Sequence, residues 1–447
     1  MKRSLMHHAA AVALATAALP ALANPFAAMF GNSGGSDADS SQVAKDAAAY
    51  ADKQPAWARP YLTTLYRDGE WGAVLNLNRL GLAAMQQQQF GLARKAFDQA
   101  IVRVEAIYAD DPNAAKARSV FNGEKVKDFK GEPYERAMMY YYRGLLYLQE
   151  GDYQNARAAF LAADRHDTLS SAEEQAFAGD FGLMKYLAGW ASACDGDTVR
   201  AEQLVAEAQA ADATVRALPK MPGAGLVLLD SGPAPVKWGD GQYKHILKIK
   251  PGEGSDPAPQ LRRADGGTLD GLTTGGDIGF QASTRGGREI DGILAGKAQF
   301  KDTAGTVGDG ALVVGSTLLT SASMMGDSNM ANIGMAGLFI GLVAKGIEKA
   351  ANPEADVRGW DTLPAQVLVR VSPEPASGAV LLASGAQAAV LPLQASHGRC
   401  SVAWGRTRPA VVDAVAAGAA NPPAEAQRGD RNRAFRAMLV NELTVAE

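Results

Sequence analysis

The sequence predicts an α+β protein: a helical-repeat region, then a β-rich, sandwich-like region that carries an inserted apolar helical hairpin. Three observations predict it. Small and aromatic residues recur at matching offsets three times between positions 77 and 208. At Gly225 the texture changes, and long helical patterns give way to short apolar runs between Gly and Pro turns. Within that second half, residues 310–351 hold two apolar runs parted by Gly326-Asp327-Ser328-Asn329.

The central repeat unit is Tyr134–Ala163, YERAMMYYYRGLLYLQEGDYQNARAAFLAA, with Tyr140, Gly144, Tyr147, Gly151, Tyr153, Ala156, Phe160 and Ala163 as its marked positions. Gly144 and Ala156 are small where two helices would cross closest. The aromatic residues fill the space on either side of that crossing. Gly151 falls in the turn, where a left-handed backbone is cheapest without a Cβ. These spacings resemble the tetratricopeptide repeat, a pair of antiparallel helices joined by a short turn. Upstream, Leu77, Gly81, Phe90, Ala93, Phe97 and Ala100 fall on the same offsets, with Gln88 at the turn position. Downstream, Gly189, Gly196, Ala201, Val205 and Ala208 match, with the aromatic positions lost to Lys185, Ser192 and Thr198. One repeat cannot bury both faces, so three are expected, with longer connections than a regular array.

The first residues read as an export leader, 1–23. Lys2 and Arg3 open it, an Ala/Leu/Val stretch follows, and Ala21-Leu22-Ala23 forms a cleavage site before Asn24. The residue after that site is not Cys, so a lipid anchor is not expected. Loss of the two leader cations takes the formal charge from −4 to −6. An acidic chain with no basic aromatic surface is a poor nucleic-acid binder. Localisation is expected to be periplasmic or outer-membrane associated. Cys194 and Cys400 are the two cysteines. They either bridge in an oxidising compartment or stand as two buried thiols.

Residues 24–41 are rich in Gly, Ser and Asp and read as a flexible tether. The helical region follows over 42–218. In it, Gln42–Gln54 and Pro55–Trp71 form short leading helices, and Ser170 with Glu173 forms a capping-box start for a helix through Trp190. The β-rich region is 219–447. Its runs GLVLLDSG, YKHILKIKP, DIGFQAST and REIDGILAGKAQF precede the apolar hairpin; QVLVRVS, GAVLLAS, QAAVLPLQ and RCSVAWGRTR follow it. Their even spacing suits a small antiparallel sandwich. Alternation in YKHILKIK is imperfect, so its faces stay open. The hairpin 310–351 has runs shorter than the ~20 residues a bilayer span needs. Its Gly337-x-x-x-Gly341 allows close helix packing. Two readings stand: a buried hairpin sealing the β region, or a membrane-associated or oligomer-forming seam. A last helix is expected over 430–445, with Phe435, Met438 and Leu439 on one face.

Catalytic signatures are missing. The three histidines after the leader, His166, His245 and His397, are isolated from one another, and no paired Cys/His spacing points to zinc. No nucleophile elbow or phosphate-binding loop occurs. Asp110-Asp111 and Glu173-Glu174 are neighbours in sequence and would not face one another on a helix. No enzyme, cofactor or metal is expected.

The stretches FNGEKVKDFKGEPYERAMMYYYRGLLYLQEGDY, GLVLLDSGPAPVKW and Asp356-x-Arg358-x-Trp360 before Leu363-Pro364 together resemble a poorly characterised family of exported bacterial tetratricopeptide-repeat proteins. The resemblance implies a cell-envelope role. It also implies a protein or peptide partner, including an outer-membrane or peptidoglycan-synthesis-associated lipoprotein that resembles activators of penicillin-binding proteins. The expected function is binding and scaffolding, with a partner held in the repeat groove. Candidate contact residues come from the charged insertion: Phe121, Glu124, Lys125, Lys127, Phe129, Lys130 and Tyr134. Its aromatics predict an ordered lid against the repeat helices, opposed by a reading as a plain packed connector. Arg358 and Trp360 are the remaining candidates. On one strand face they would let Arg stack on the indole; the alternative is a buried Trp360 with Arg358 paired to Asp356.

Overall fold

A computed structural model describes residues 37–109, 127–168, 181–241, 244–263, 265–284, 354–376, 380–384, 387–410 and 429–445. The leader 1–23, most of the tether, the insertion through position 126, the Ser170 capping box and the apolar hairpin 310–351 lie outside the described residues.

Among the described residues, eight α-helices come first: α1 (Asp37–Ala51), α2 (Arg59–Asp68), α3 (Ala73–Gln86), α4 (Phe90–Ala109), α5 (Pro133–Glu150), α6 (Tyr153–Thr168), α7 (Gly182–Asp195) and α8 (Thr198–Ala211). α1 starts at Asp37, inside the stretch expected to be tether. Helix α7 begins at Gly182 with Phe181 as its N-cap, later than the capping-box pattern implied.

Helices α3/α4, α5/α6 and α7/α8 form three hairpins with one internal geometry. A Cβ on Gly81 would stand 2.8 Å from the Phe97 ring, one on Gly144 2.5 Å from Phe160, and one on Gly189 2.9 Å from Val205. The first helix of each pair can approach the second only because that Cβ is missing. Their turns also match. The amides of Gln88, Gly151 and Gly196 donate to Met85, Leu148 and Ala193. The next amides donate five residues back, to Ala84, Tyr147 and Ser192. That is the Schellman closure, which needs a left-handed residue. Gln88 supplies it at φ 58°, without being glycine.

The β strands are β1 (Ala224–Ser231), β2 (Val236–Asp240), β3 (Ile246–Lys250), β4 (Gln260–Arg263), β5 (Thr268–Leu269) and β6 (Thr273–Asp277). After the short helix α9 (Ile278–Thr284) come β7 (Gln366–Ser372), β8 (Val380–Ser384), β9 (Gln387–Val390), β10 (Leu393–His397) and β11 (Cys400–Arg406). The main sheet has the order β10-β11-β1-β7-β6. It is mixed, not antiparallel as expected, because β1 runs parallel to β11. The described residues also form a four-stranded sheet, β5-β4-β8-β9, and the hairpin β2-β3.

Strand β1 is buried on both faces, as a central strand between two layers must be. Val227 and Leu229 join Leu368 and Ala403 against Leu261 and Leu269 of the small sheet. Leu226 and Leu228 point the other way, with Val402 and Trp404, into a core shared with Leu77, Phe97, Tyr142 and Phe160. Helices, main sheet and small sheet therefore stack as three layers, and one continuous apolar core runs across position 219. The Cys194–Cys400 disulfide joins α7 to β11 across that boundary, which decides the question of the thiols. Helix α10 (Asp430–Glu442) returns to the start of the chain. Tyr50 donates to the carbonyls of Leu439 and Leu443 at 3.0 and 2.9 Å, and Glu70 N donates to Asn432 Oδ1 at 2.8 Å.

Candidate interaction surface

The expected groove face is not free. Helices α3, α5 and α7 would line it, and nearly every residue of each is buried. The second helix of each hairpin covers one side; on the other, the chain's own sheet lies against α5 and α7, and the segments 359–361 and 408–410 reach α3. On the sheet side, Asp230 of β1 accepts from the Tyr142 hydroxyl at 2.7 Å and from Arg406 Nη1 at 3.2 Å, while Tyr141 approaches at 3.4 Å. Arg406 also donates to the Thr362 carbonyl at 2.5 Å. Burial pushes the Asp230 carboxyl up, and Arg406 pulls it back. Fully enclosed, this cluster has no access for a substrate and acts as a clamp between α5 and the sheet.

A second clamp gathers the residues singled out in the sequence. Glu132 and Pro133 open α5, and the Glu132 amide donates to Glu135 Oε2 at 2.7 Å. The same carboxylate accepts from Trp360 N at 2.7 Å and from Lys237 Nζ at 2.5 Å. Lys237 Nζ also donates to the Arg358 carbonyl at 2.9 Å. Arg358 pairs with Asp356 at 2.7 Å and donates to the carbonyls of Trp71 and Lys127, both at 2.8 Å.

Of the sequence candidates, Phe129, Tyr134, Arg358 and Trp360 therefore meet in one place. Phe129 lies buried with its amide on the Trp71 carbonyl at 2.9 Å. The Arg358 guanidinium stacks 4.2 Å from the centre of Trp71, not on Trp360. Trp360 is buried against Phe97 and Tyr142, its indole N–H on Thr362 Oγ1 at 2.8 Å. Lys127 is half-buried and Lys130 exposed. Phe121, Glu124 and Lys125 lie outside the described residues. The gathered aromatic residues pack the corner between helices and sheet, so they offer no contact area to a partner.

What this corner does is hold the β2–β3 hairpin. Along β2, Lys237 points inward to Glu135, so Val236 and Trp238 must point outward, since successive strand residues face opposite ways. On β3 the outward residues are Ile246, Lys248 and Lys250. Register places Val236 opposite Lys250, Trp238 opposite Lys248 and Asp240 opposite Ile246. Trp238 is 40 % exposed, and the other five tryptophans are buried or half-buried. The Lys248 ammonium lies 5.5 Å from its ring centre and also pairs with Asp240. The result is an aromatic and aliphatic surface edged by lysines, on a strand pinned from beneath by a buried ion pair. Sequence reading missed it because the YKHILKIK alternation was ambiguous. The available signal was PVKW: two apolar residues flanking an inward-pointing lysine.

Among the described residues no group of His, Cys, Asp and Glu side chains could hold a metal ion, and no helix is long and apolar enough to cross a membrane. The chain matches no protein-family model, and comparison with curated proteins and with solved structures gave no match.

Proposed function

We propose that this is an exported binding and scaffolding protein of the cell envelope, built on three tetratricopeptide-like hairpins, that engages a protein or peptide partner. Export rests on the leader pattern, and the repeat assignment on the shared Gly-to-partner spacing and turn closure of the three hairpins. The inner helical face serves as a cradle for the chain's own sheet. Partner contact then falls to the outer face of the β2–β3 hairpin. The observation that carries this reading is Trp238, exposed on a strand whose neighbouring Lys237 is locked to Glu135. Exposed aromatics beside aliphatic and cationic side chains are the usual anchors of protein interfaces. A fitting partner covers Val236, Trp238 and Ile246 with apolar side chains and brings carboxylates to Lys248 and Lys250.

The test uses the full chain on a support, against envelope extract, beside a Trp238→Ala/Ile246→Ser variant. A partner held by the parent and at least tenfold depleted by the variant is the expected result. Equal recovery on both contradicts the reading.

A further inference from the structure

A cleft opens between α7, the loop after α8 and the edge strand β6, on elements other than the β2–β3 hairpin. It is shallow and open to solvent on one side, and Leu183, Val215 and Val369 form apolar walls. Besides Thr214, Thr273 and Thr274, whose hydroxyls are bonded within the protein, two further polar residues line it. Tyr186 is 4 % exposed, and its hydroxyl has no hydrogen-bond partner among the described residues. A buried hydroxyl left unpaired is destabilising unless something supplies the missing bond. Arg216 stands exposed at the mouth and forms no ion pair among the described residues. Burial pushes the Tyr186 hydroxyl up while the Arg216 charge pulls it down, so the two groups lie within electrostatic reach.

We propose that this cleft binds a small aliphatic carboxylate. One carboxylate oxygen accepts from the Tyr186 hydroxyl, the guanidinium of Arg216 holds the anion, and the alkyl group rests on Leu183, Val215 and Val369. The chemistry selects this class. A single cation balances one negative charge, which suits a carboxylate better than a dianionic phosphate, and Arg geometry matches a carboxylate fork. Apolar walls reward an alkyl group, and the guanidinium repels amines. The acid can be a free N-acyl amino acid or the C-terminal residue of a peptide; both present the same group.

The test is ligand-observed saturation-transfer NMR with calorimetry on the full chain. The probes are N-acetyl-leucine, its uncharged amide, and a short peptide ending in leucine with a free carboxylate. Both acids are expected to bind at millimolar concentration or below, and the amide at least tenfold more weakly. Arg216→Gln and Tyr186→Phe are each expected to lower acid affinity about tenfold, or about 1.4 kcal/mol. Neither should disturb folding, because Arg216 is exposed and the tyrosine hydroxyl has no partner to lose; thermal melts check this. A peptide that binds tighter than N-acetyl-leucine identifies a chain terminus as the ligand, and equal binding identifies a free acid. An amide as tight as the acid, unchanged affinity in both variants, or no binding of any probe overturns the proposal. The outcome is independent of the Trp238 surface, so the two readings fail separately.

Discussion

Lys237 and Glu135 meet at 2.5 Å with both side chains 1 % exposed, although 102 residues separate them in the chain. Their contact joins the start of α5 to strand β2 and, through Trp360 N and the Arg358 carbonyl, to the segment before β7. Removing one partner of a buried pair leaves an uncompensated charge, which costs about 3–5 kcal/mol. Glu135→Ala should lose stability on that scale in urea denaturation. The double variant Glu135→Gln/Lys237→Met should recover part of it, because no buried charge remains and the amide oxygen still accepts one backbone N–H. A Glu135→Ala variant within 1 kcal/mol of the parent, far below the cost of an orphaned charge, would show that the pair does not hold the hairpin.

The hairpin crossings give a prediction of unusual sign. Glycine inside a helix is normally worse than alanine by about 1 kcal/mol. At Gly144 the order should reverse, because a Cβ would stand 2.5 Å from the Phe160 ring. Gly144→Ala should destabilise by about 1–3 kcal/mol through overpacking, and Phe160→Leu in the same chain should offset part of that loss. The opposite change suits Gln88. Its left-handed φ of 58° strains an L side chain by about 1–2 kcal/mol, so Gln88→Gly should raise the melting temperature.

His166 sets a pH dependence. Its ring stacks on Tyr140 with centroids 5.0 Å apart, and Nε2 lies 2.9 Å from Glu105 Oε1. Burial lowers its pKa below the ordinary 6.5 more than Glu105 raises it, and the positive charges of Arg136 and Arg165 add to the lowering. The unfolded chain therefore binds the proton more readily than the folded one. Stability from this site is full above pH 6.5 and falls as pH drops below that value toward the folded pKa. Thermal melts across that window should show a shallower slope in a His166→Gln variant than in the parent.

The disulfide ties α7 to β11 across a sequence separation of 206 residues. Reduction should lower stability by about 2–5 kcal/mol. The comparison is of melts with and without reductant, with the Cys194→Ala/Cys400→Ala variant as the reduced reference.

Much of the helical half was legible in the sequence because its contacts are local. Gly144 and Phe160, or Gly81 and Phe97, lie sixteen positions apart within one hairpin, and the close approach requires the glycine. Even the odd turn residue, Gln88, was visible as a gap in the pattern. The sheet was less legible, since β1 pairs with β11 and Asp230 meets Arg406 across 176 residues that no short-range pattern spans. The run Tyr140–Tyr142 reads as hairpin core. Nothing in it says that Tyr141 and Tyr142 turn their hydroxyls toward Asp230 and so bring the sheet onto the inner helices. Trp360 looked like a contact residue for a related reason: a tryptophan beside charges fits both a buried corner and an exposed anchor. Trp238 was the converse case, an exposed tryptophan on a strand whose pairing partner, YKHILKIK, has an ambiguous alternation.

The most direct test of the account asks which face meets the partner. A photoreactive amino acid is placed in turn at Trp238, on the outer hairpin face, and at Val199, which is 77 % exposed on α8. Each full-length variant is irradiated in cells of the source organism, and the adducts are separated by mass. The account predicts one dominant protein adduct from position 238, lost on Ile246→Ser substitution, and only background from position 199. Equal background from both positions would contradict it.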